Sequence, residues 1–217
     1  LNNVFLKKNL TINWNDFIFT SINPKIDITN ILNDISTRLK KFPYNKIKFR
    51  KSLSKTYYLD AHWALYCENY LEGFHVPYVH EGLNSDINFN SYKTELLNNG
   101  VLQYAESKTN NKDVYAYYYW IFPNLMLNFY KWGLSINIIE PINKNKTKIK
   151  FLSFPINGMT QPINSDSSLD KVEIEDQQIV ENVQKGISSS LYDSGRYSPK
   201  YEKGVHHFHR LLSKNLE

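Results

Sequence analysis

The sequence predicts an α+β fold built on a mostly antiparallel sheet. Strand-like runs crowd the stretch from about 86 to 155, and one-sided apolar stripes at helical spacing flank it on both sides. The third observation is size: 217 residues, 41% hydrophobic and 22% charged, suit one sizeable domain with a single buried core and exclude wholesale disorder.

Residues 10 to 21 (LTINWNDFIFTS) alternate as a strand does, and Asn23-Pro24 stops them. From Asp27 to Lys40 the apolar positions Ile28, Ile31, Leu32, Ile35 and Leu39 fall on one face of a helix. Residues 44 to 58 read as extended. A helix is predicted over Asp60 to Phe74, with Ala64, Cys67, Leu71 and Phe74 along one side. Pro77, which has no N–H to give the helical ladder, cuts it short. The runs VYAYYYWIF, LMLNFY, LSINIIE and KIKFLSF are rich in aromatic and β-branched residues and are punctuated by Pro123-Asn124, Gly133 and the Asn/Lys cluster at 143 to 147, which predicts an antiparallel meander. A polar stretch, Asn157 to Ser168, leads to a long helix over about Leu169 to Ser188, and a short last helix is predicted over Val205 to Leu212.

Composition narrows the function classes. The formal charge is +5, but the lysines are scattered among Asn and Ile, so no nucleic-acid partner is expected. No stretch approaches the ~20 consecutive apolar residues that cross a bilayer, and Leu1 to Lys8 lack a signal peptide's apolar run, so a cytoplasmic protein without a membrane partner is expected. Cys67 is the single cysteine, which excludes an internal disulfide and any site needing several thiolates from this chain; on its apolar stripe it reads as a small core residue.

The chemistry concentrates in Glu68-Asn69-Tyr70-Leu71-Glu72-Gly73-Phe74-His75-Val76-Pro77-Tyr78-Val79-His80. Helical steps back from His75 reach Glu72, Leu71, Glu68 and Cys67, which places two acids and a histidine on a stripe with apolar neighbours. An unpaired carboxylate there costs several kcal/mol, so such acids are hydrogen-bonded, ion-paired or bound to metal. His75 and His80 are five apart and converge if the helix ends between them; taken alone, the pair reads first as surface or hydrogen-bonded core histidines and second as metal ligands. Farther on, the seam Leu169, Val172, Ile179, Val180, Val183 and Ile187 carries Asp176 inward, with Glu173 near the same face, while Glu175 and Glu181 read as solvated helix acids. Two histidines and one carboxylate with adjacent positions open form the facial set that suits non-haem Fe(II). Asn69 and Glu68 are candidates to orient the imidazoles, or ordinary helix-end hydrogen bonders. Tyr70 is the candidate pocket residue. The aromatic clusters read first as core and second as a box for a quaternary ammonium. His206, His207 and His209, on the last helix, read as surface or packing residues.

The run WALYCENYLEGFHVPYVH (Trp63 to His80) resembles the iron-binding signature of Rieske oxygenase large subunits, and Ile174 to Leu212 resembles the C-terminal block of that superfamily, on the choline and glycine-betaine monooxygenase branch. Weaker similarity reaches Trp14 to Phe19 and Trp120 to Asn124. The resemblance implies a helix-grip fold, a curved antiparallel sheet around a long C-terminal helix. It implies that His75, His80 and Asp176 bind one Fe(II), and that Glu72 is the acid bridging electrons from a Rieske cluster on the neighbouring subunit of a homotrimer. It also implies O2 and a small organic substrate as reactants, a quaternary or N-methylated amine ahead of an aromatic ring, and a separate NAD(P)H-dependent reductase. Residues 1–24 correspond to the end of a Rieske domain and 25–217 to the mononuclear iron domain. The Cys-x-His and Cys-x-x-His pairs that hold the [2Fe–2S] cluster are missing, so that cluster is expected on another domain and the chain is expected to be inactive alone. His62 and Ala64 depart from the Asn and Lys frequent in the family. The competing reading from another class is a helix-grip carrier that binds a small ligand without chemistry.

Overall fold

The computed structural model describes residues 10–22, 24–108, 113–159 and 168–216. Nine strands and six helices are found among them. A hairpin, β1 (Leu10–Trp14) and β2 (Phe17–Ser21), forms a separate two-stranded sheet. The remaining strands are β3 (Lys55–Leu59), β4 (Ile87–Leu97), β5 (Gly100–Ser107), β6 (Val114–Ile121), β7 (Leu125–Tyr130), β8 (Gly133–Asn143) and β9 (Lys146–Pro155). They make a seven-stranded antiparallel sheet in the order β3-β9-β8-β7-β6-β5-β4. The meander from β4 to β9 is as the sequence predicts, because short polar turns let each strand pair with the next. The helices are α1 (Thr29–Arg38), α2 (Trp63–Leu71), α3 (Val76–Val79), α4 (Glu81–Asp86), α5 (Leu169–Ile187) and α6 (Lys203–Leu216).

Both faces of the sheet are covered, which is why its strands read as near-continuous apolar runs. One face packs Leu102, Tyr119, Leu127, Phe129 and Leu134 against Ile31, Leu32 and Ile35 of α1 and Trp14 of the hairpin. The other packs Val101, Trp120, Met126, Ile139 and Ile149 against Cys67 and Leu71 of α2, Val180 of α5, and Val205 and Phe208 of α6. Strand alternation thus divides Tyr119 from Trp120, and everything chemical is on the second face.

Several boundaries differ from the sequence expectation. Residues 10 to 21 are two strands, because Asn15 and Asp16 take positive φ (48° and 67°), the mirror-image turn that Asn and Asp tolerate. Between 44 and 58 only β3 is a strand; Tyr44–Lys46 and Lys51–Leu53 are 3-10 turns. The helix expected to run to Phe74 ends at Leu71, and Glu72 is extended (φ −119°, ψ 138°). The last helix is longer than expected, starting at Lys203 and reaching Leu216. On α5 the expected seam is buried only in part: Val183 and Ile187 are exposed, since the sheet and α2 cover the first turns and none of the described residues covers those two. Residues 160–167 of the polar stretch, residues 1–9 with the proposed absence of a leader, and Asn23 lie outside the described residues.

Two glycines fix the approach of elements to the site. At Gly73 an added Cβ would overlap the Tyr92 ring, so the chain can turn out of α2 directly beneath that tyrosine. At Gly204 an added Cβ would stand 2.5 Å from the Leu71 carbonyl oxygen, so α6 rests on the end of α2 only because the residue has no side chain. Gly204→Ala is therefore expected to lower stability by about 1–3 kcal/mol from overpacking, more than the about 0.5–1 kcal/mol Ala gains over Gly within a helix. A drop in the urea midpoint with an unchanged denaturant slope is the outcome that checks it.

Candidate metal centre

The chain leaves α2, turns at Glu72 and Gly73, and places His75 and His80 at the two ends of the single turn α3. The helical stripe expected through Glu68, Glu72 and His75 is therefore absent; Glu72 reaches His75 by chain reversal. Asp176 comes from the middle of α5, which packs across α2. His75 Nε2 and His80 Nε2 stand 3.2 Å apart, His80 Nε2 and Asp176 Oδ1 3.0 Å, and His75 Nε2 and Asp176 Oδ1 3.5 Å. Donors bound to one ion at ~2.1 Å and at right angles lie about 3.0 Å apart, so this spacing is that of three ligands sharing a corner. Among the described residues it is the one such group of three found.

The outer nitrogen of each ring faces a carboxylate. Glu72 Oε1 holds His75 Nδ1, and Glu175 Oε2 lies 2.7 Å from His80 Nδ1. With each Nδ1 carrying the proton, both Nε2 atoms turn bare lone pairs on one another and on an Asp176 oxygen. Such a cluster is repulsive unless a cation sits in it, which is the observation that fits a metal. Asn69 Nδ2 donates to Asp176 Oδ1 at 2.7 Å and sets that carboxylate's rotation. Burial disfavours a charged His80, yet the Asp176 and Glu175 carboxylates outweigh burial and raise its pKa; the same field favours a metal ion.

The sequence reading placed some side chains wrongly. Glu175 is not a solvated acid: the His80 ring lies across α5 with one nitrogen on each of two adjacent residues, Glu175 and Asp176. No apolar seam reveals that, since residue 175 is 100° around the helix from 176. Glu68 does not reach the ligands through its hydrogen bond; its Oε1 pairs with His209 Nε2 of α6 at 2.8 Å. His207 Nε2 donates to the Leu97 carbonyl oxygen at 2.8 Å, and both histidines tie α6 to its neighbours. Glu181 accepts from the Asp60 N–H at 3.0 Å.

Next to the three ligands is a cavity of about 120 Å³ between α2, α5 and the sheet. Tyr70 lines it, its hydroxyl donating to Asn128 Oδ1 at 2.6 Å. Tyr66, Tyr92, Tyr115, Tyr118 and Tyr130 supply further rings, and burial pushes the hydroxyls of Tyr66, Tyr70 and Tyr118 well up, so they stay neutral donors. Gln103, buried on β5, donates to the Tyr70 carbonyl at 2.6 Å and accepts from Tyr92 at 3.1 Å, which satisfies the end of α2 inside the core. Sequence reasoning missed Gln103, Asn128 and Asn137 because polar residues in a strand look solvent-facing until the second face is known to be covered.

An α+β domain with two histidines and one carboxylate at the mouth of an aromatic cavity defines the class. The family described as ring hydroxylating alpha subunit (catalytic domain) matches residues 47–217, and the chain belongs to it. The choline monooxygenase of Arabidopsis thaliana, named as chloroplastic, is 32% identical over 179 residues, 75% of this chain and 41% of that protein. The carnitine monooxygenase oxygenase subunit of Escherichia coli (strain K12) is 27% identical over 186 residues, 71% and 46% of the two chains. The chain spans less than half the length of the curated relatives it matches. In fold it resembles the quaternary ammonium Rieske monooxygenase CntA bound to L-carnitine (TM-score 0.72, 18% identity, 96% of this chain and 61% of that one). It also resembles a naphthalene 1,2-dioxygenase variant bound to phenanthrene (TM-score 0.66, 13% identity, 94% and 63%). The expected α+β class and family are thereby established. No helix among the described residues is long and apolar enough to cross a membrane.

Removing an outer partner of a metal-bound imidazole typically costs about 10–100-fold in metal affinity. Glu175→Ala is expected to weaken Fe(II) or Co(II) binding by about that factor, and Glu68→Gln to leave it unchanged. Competition against a chelator under anaerobic conditions checks both.

Proposed function

We propose that His75, His80 and Asp176 hold a mononuclear Fe(II), and that the chain is the oxygenating part of a Rieske-type monooxygenase acting on a quaternary or N-methylated amine. The convergence of two imidazole nitrogens and a carboxylate oxygen at ligand spacing, beside a tyrosine-lined cavity, carries this reading. When bound, the iron supplies redox chemistry: one atom of O2 enters a substrate C–H bond, and with two electrons and two protons the other leaves as water.

The chain's own residues would do the rest. Glu72 and Glu175 keep the Nδ1 protons of His75 and His80 in place, so both Nε2 atoms stay free to bind. Asn69 holds the Asp176 carboxylate to one orientation. The tyrosine rings that line the cavity would exclude water, and any ring face presented to an N-methyl cation is worth about 0.5–2 kcal/mol. Glu72 has a second duty. Its Oε2 accepts from the Phe74 and His75 N–H groups at 2.9 and 3.2 Å, so the carboxylate is held in place, and its side chain, like that of His75, keeps some exposure. A partly exposed acid bonded to His75 is suited to link that ring to a donor on another domain. Cys67 is buried and single, so the [2Fe–2S] cluster would come from a Rieske domain, which we place upstream of residue 25 and on the neighbouring subunit of a homotrimer, reduced in turn by an NAD(P)H-dependent reductase.

Supplied with a Rieske domain and reductase, the iron-loaded chain is expected to consume O2 with N-methylated amines and not with arenes. Glu72→Gln is expected to lower coupled turnover about tenfold or more while iron stays bound. Turnover with arenes alone would overturn the amine reading, and full turnover in the Glu72 variant would overturn its role.

A further inference from the structure

Three carboxylates line the cavity, those of Glu72, Glu173 and Asp176, and among the described lining residues there is no Lys or Arg. Asp176 belongs to the ligand set and Glu72 is turned onto His75. Glu173 serves neither purpose. It lies one turn before Asp176 on α5 and is 3% exposed. Its Oε2 accepts from the Tyr66 hydroxyl at 2.5 Å and its Oε1 from Gln177 Nε2 at 2.9 Å. Both contacts come from donors, the arrangement that suits a carboxylate, and both partners are uncharged. A buried carboxylate without a countercharge is costly, and either a proton or a cation removes the cost. Burial, and after it the negative charge of Asp176, push the Glu173 carboxyl up to about 8, so it holds a proton when no cation is near, and an onium group seated beside it would take that proton's place.

The opposite wall is also informative. The polar groups that the sheet contributes to the cavity lining, the amides Gln103, Asn128 and Asn137 and phenols such as Tyr118 and Tyr130, carry no positive charge. They can hydrogen-bond an alcohol or an ether. A substrate carboxylate would find no cationic partner there and would share the space with three acids.

Resting on the amine reading above, we propose that Glu173, held by Tyr66 and Gln177, is the countercharge for the onium group of the substrate. We further infer that the cavity selects cations whose remaining polar group is uncharged, as in an amino alcohol, over those with a carboxylate tail.

Isothermal titration calorimetry of the chain tests this without turnover, using choline, its uncharged carbon isostere 3,3-dimethyl-1-butanol, and L-carnitine. Choline is expected to bind about tenfold or more tighter than the isostere, and L-carnitine about tenfold or more weaker than choline. Glu173→Gln is expected to abolish the preference for choline and leave isostere binding unchanged, which shows the cavity intact. If the Gln variant loses the isostere too, Glu173→Asp decides, since it keeps the charge and must keep the preference for choline. Equal binding of choline and isostere, undiminished choline binding in Glu173→Gln, loss of the preference in Glu173→Asp, or carnitine binding as tightly as choline each overturn the proposal. Iron content is measured first, and the ranking is repeated on metal-free chain, so a failure of the iron reading is separated from a failure of this one.

Discussion

Two imidazole nitrogens and a carboxylate oxygen held 3.0–3.5 Å apart, with their protons committed elsewhere, are the constraint on which the domain depends. Lone pairs at that distance repel, and water would dissipate the repulsion if the chain let the groups swing apart. It does not. Glu72 and Glu175 fix the ring tautomers from outside, Asn69 fixes the carboxylate, and His80 is almost wholly buried. The cost of assembling such a cluster is recovered when a cation enters it, so binding energy and folding energy are coupled here.

The larger structure explains how three residues from two distant segments reach one point. The sheet is a rigid floor because both faces are packed. On one face α2, α5 and α6 lock together through Leu71, Val180, Val205 and Phe208. The close approach of α6 to the end of α2 at Gly204 helps set where the chain turns toward His75. The ring of Tyr92 over Gly73 fixes the next step of that turn, and Gln103 satisfies the Tyr70 carbonyl. Glu173, one turn before Asp176, shares its helix, so the proposed countercharge and the proposed third ligand lie on one element.

Much of this was legible in the sequence, and the reasons for the rest are physical. The meander announced itself because aromatic and β-branched runs were separated by turn residues. Asp176 stood out because a carboxylate on an apolar seam needs a partner. Glu175 did not, because its partner His80 is a ring long enough to touch two neighbouring helix positions, and only the position of that ring in space reveals it. Glu68 looked like a site residue by proximity along the chain, but on the last turns of α2 it turns toward α6 and His209. Val183 and Ile187 have the period of a buried seam and no cover from the described residues; periodicity reports which face is apolar, not what lies against it. The hairpin at Asn15-Asp16 was hidden because two short strands alternate just as one long strand does.

Anaerobic equilibrium dialysis against Fe(II) tests the central claim most directly. The account predicts about one ion per chain, with binding lost in His75→Ala, His80→Ala and Asp176→Ala alike, since each removes one of the ligands that close the site. A wild-type chain that stays metal-free in excess Fe(II), or one whose binding survives the loss of Asp176, would contradict it.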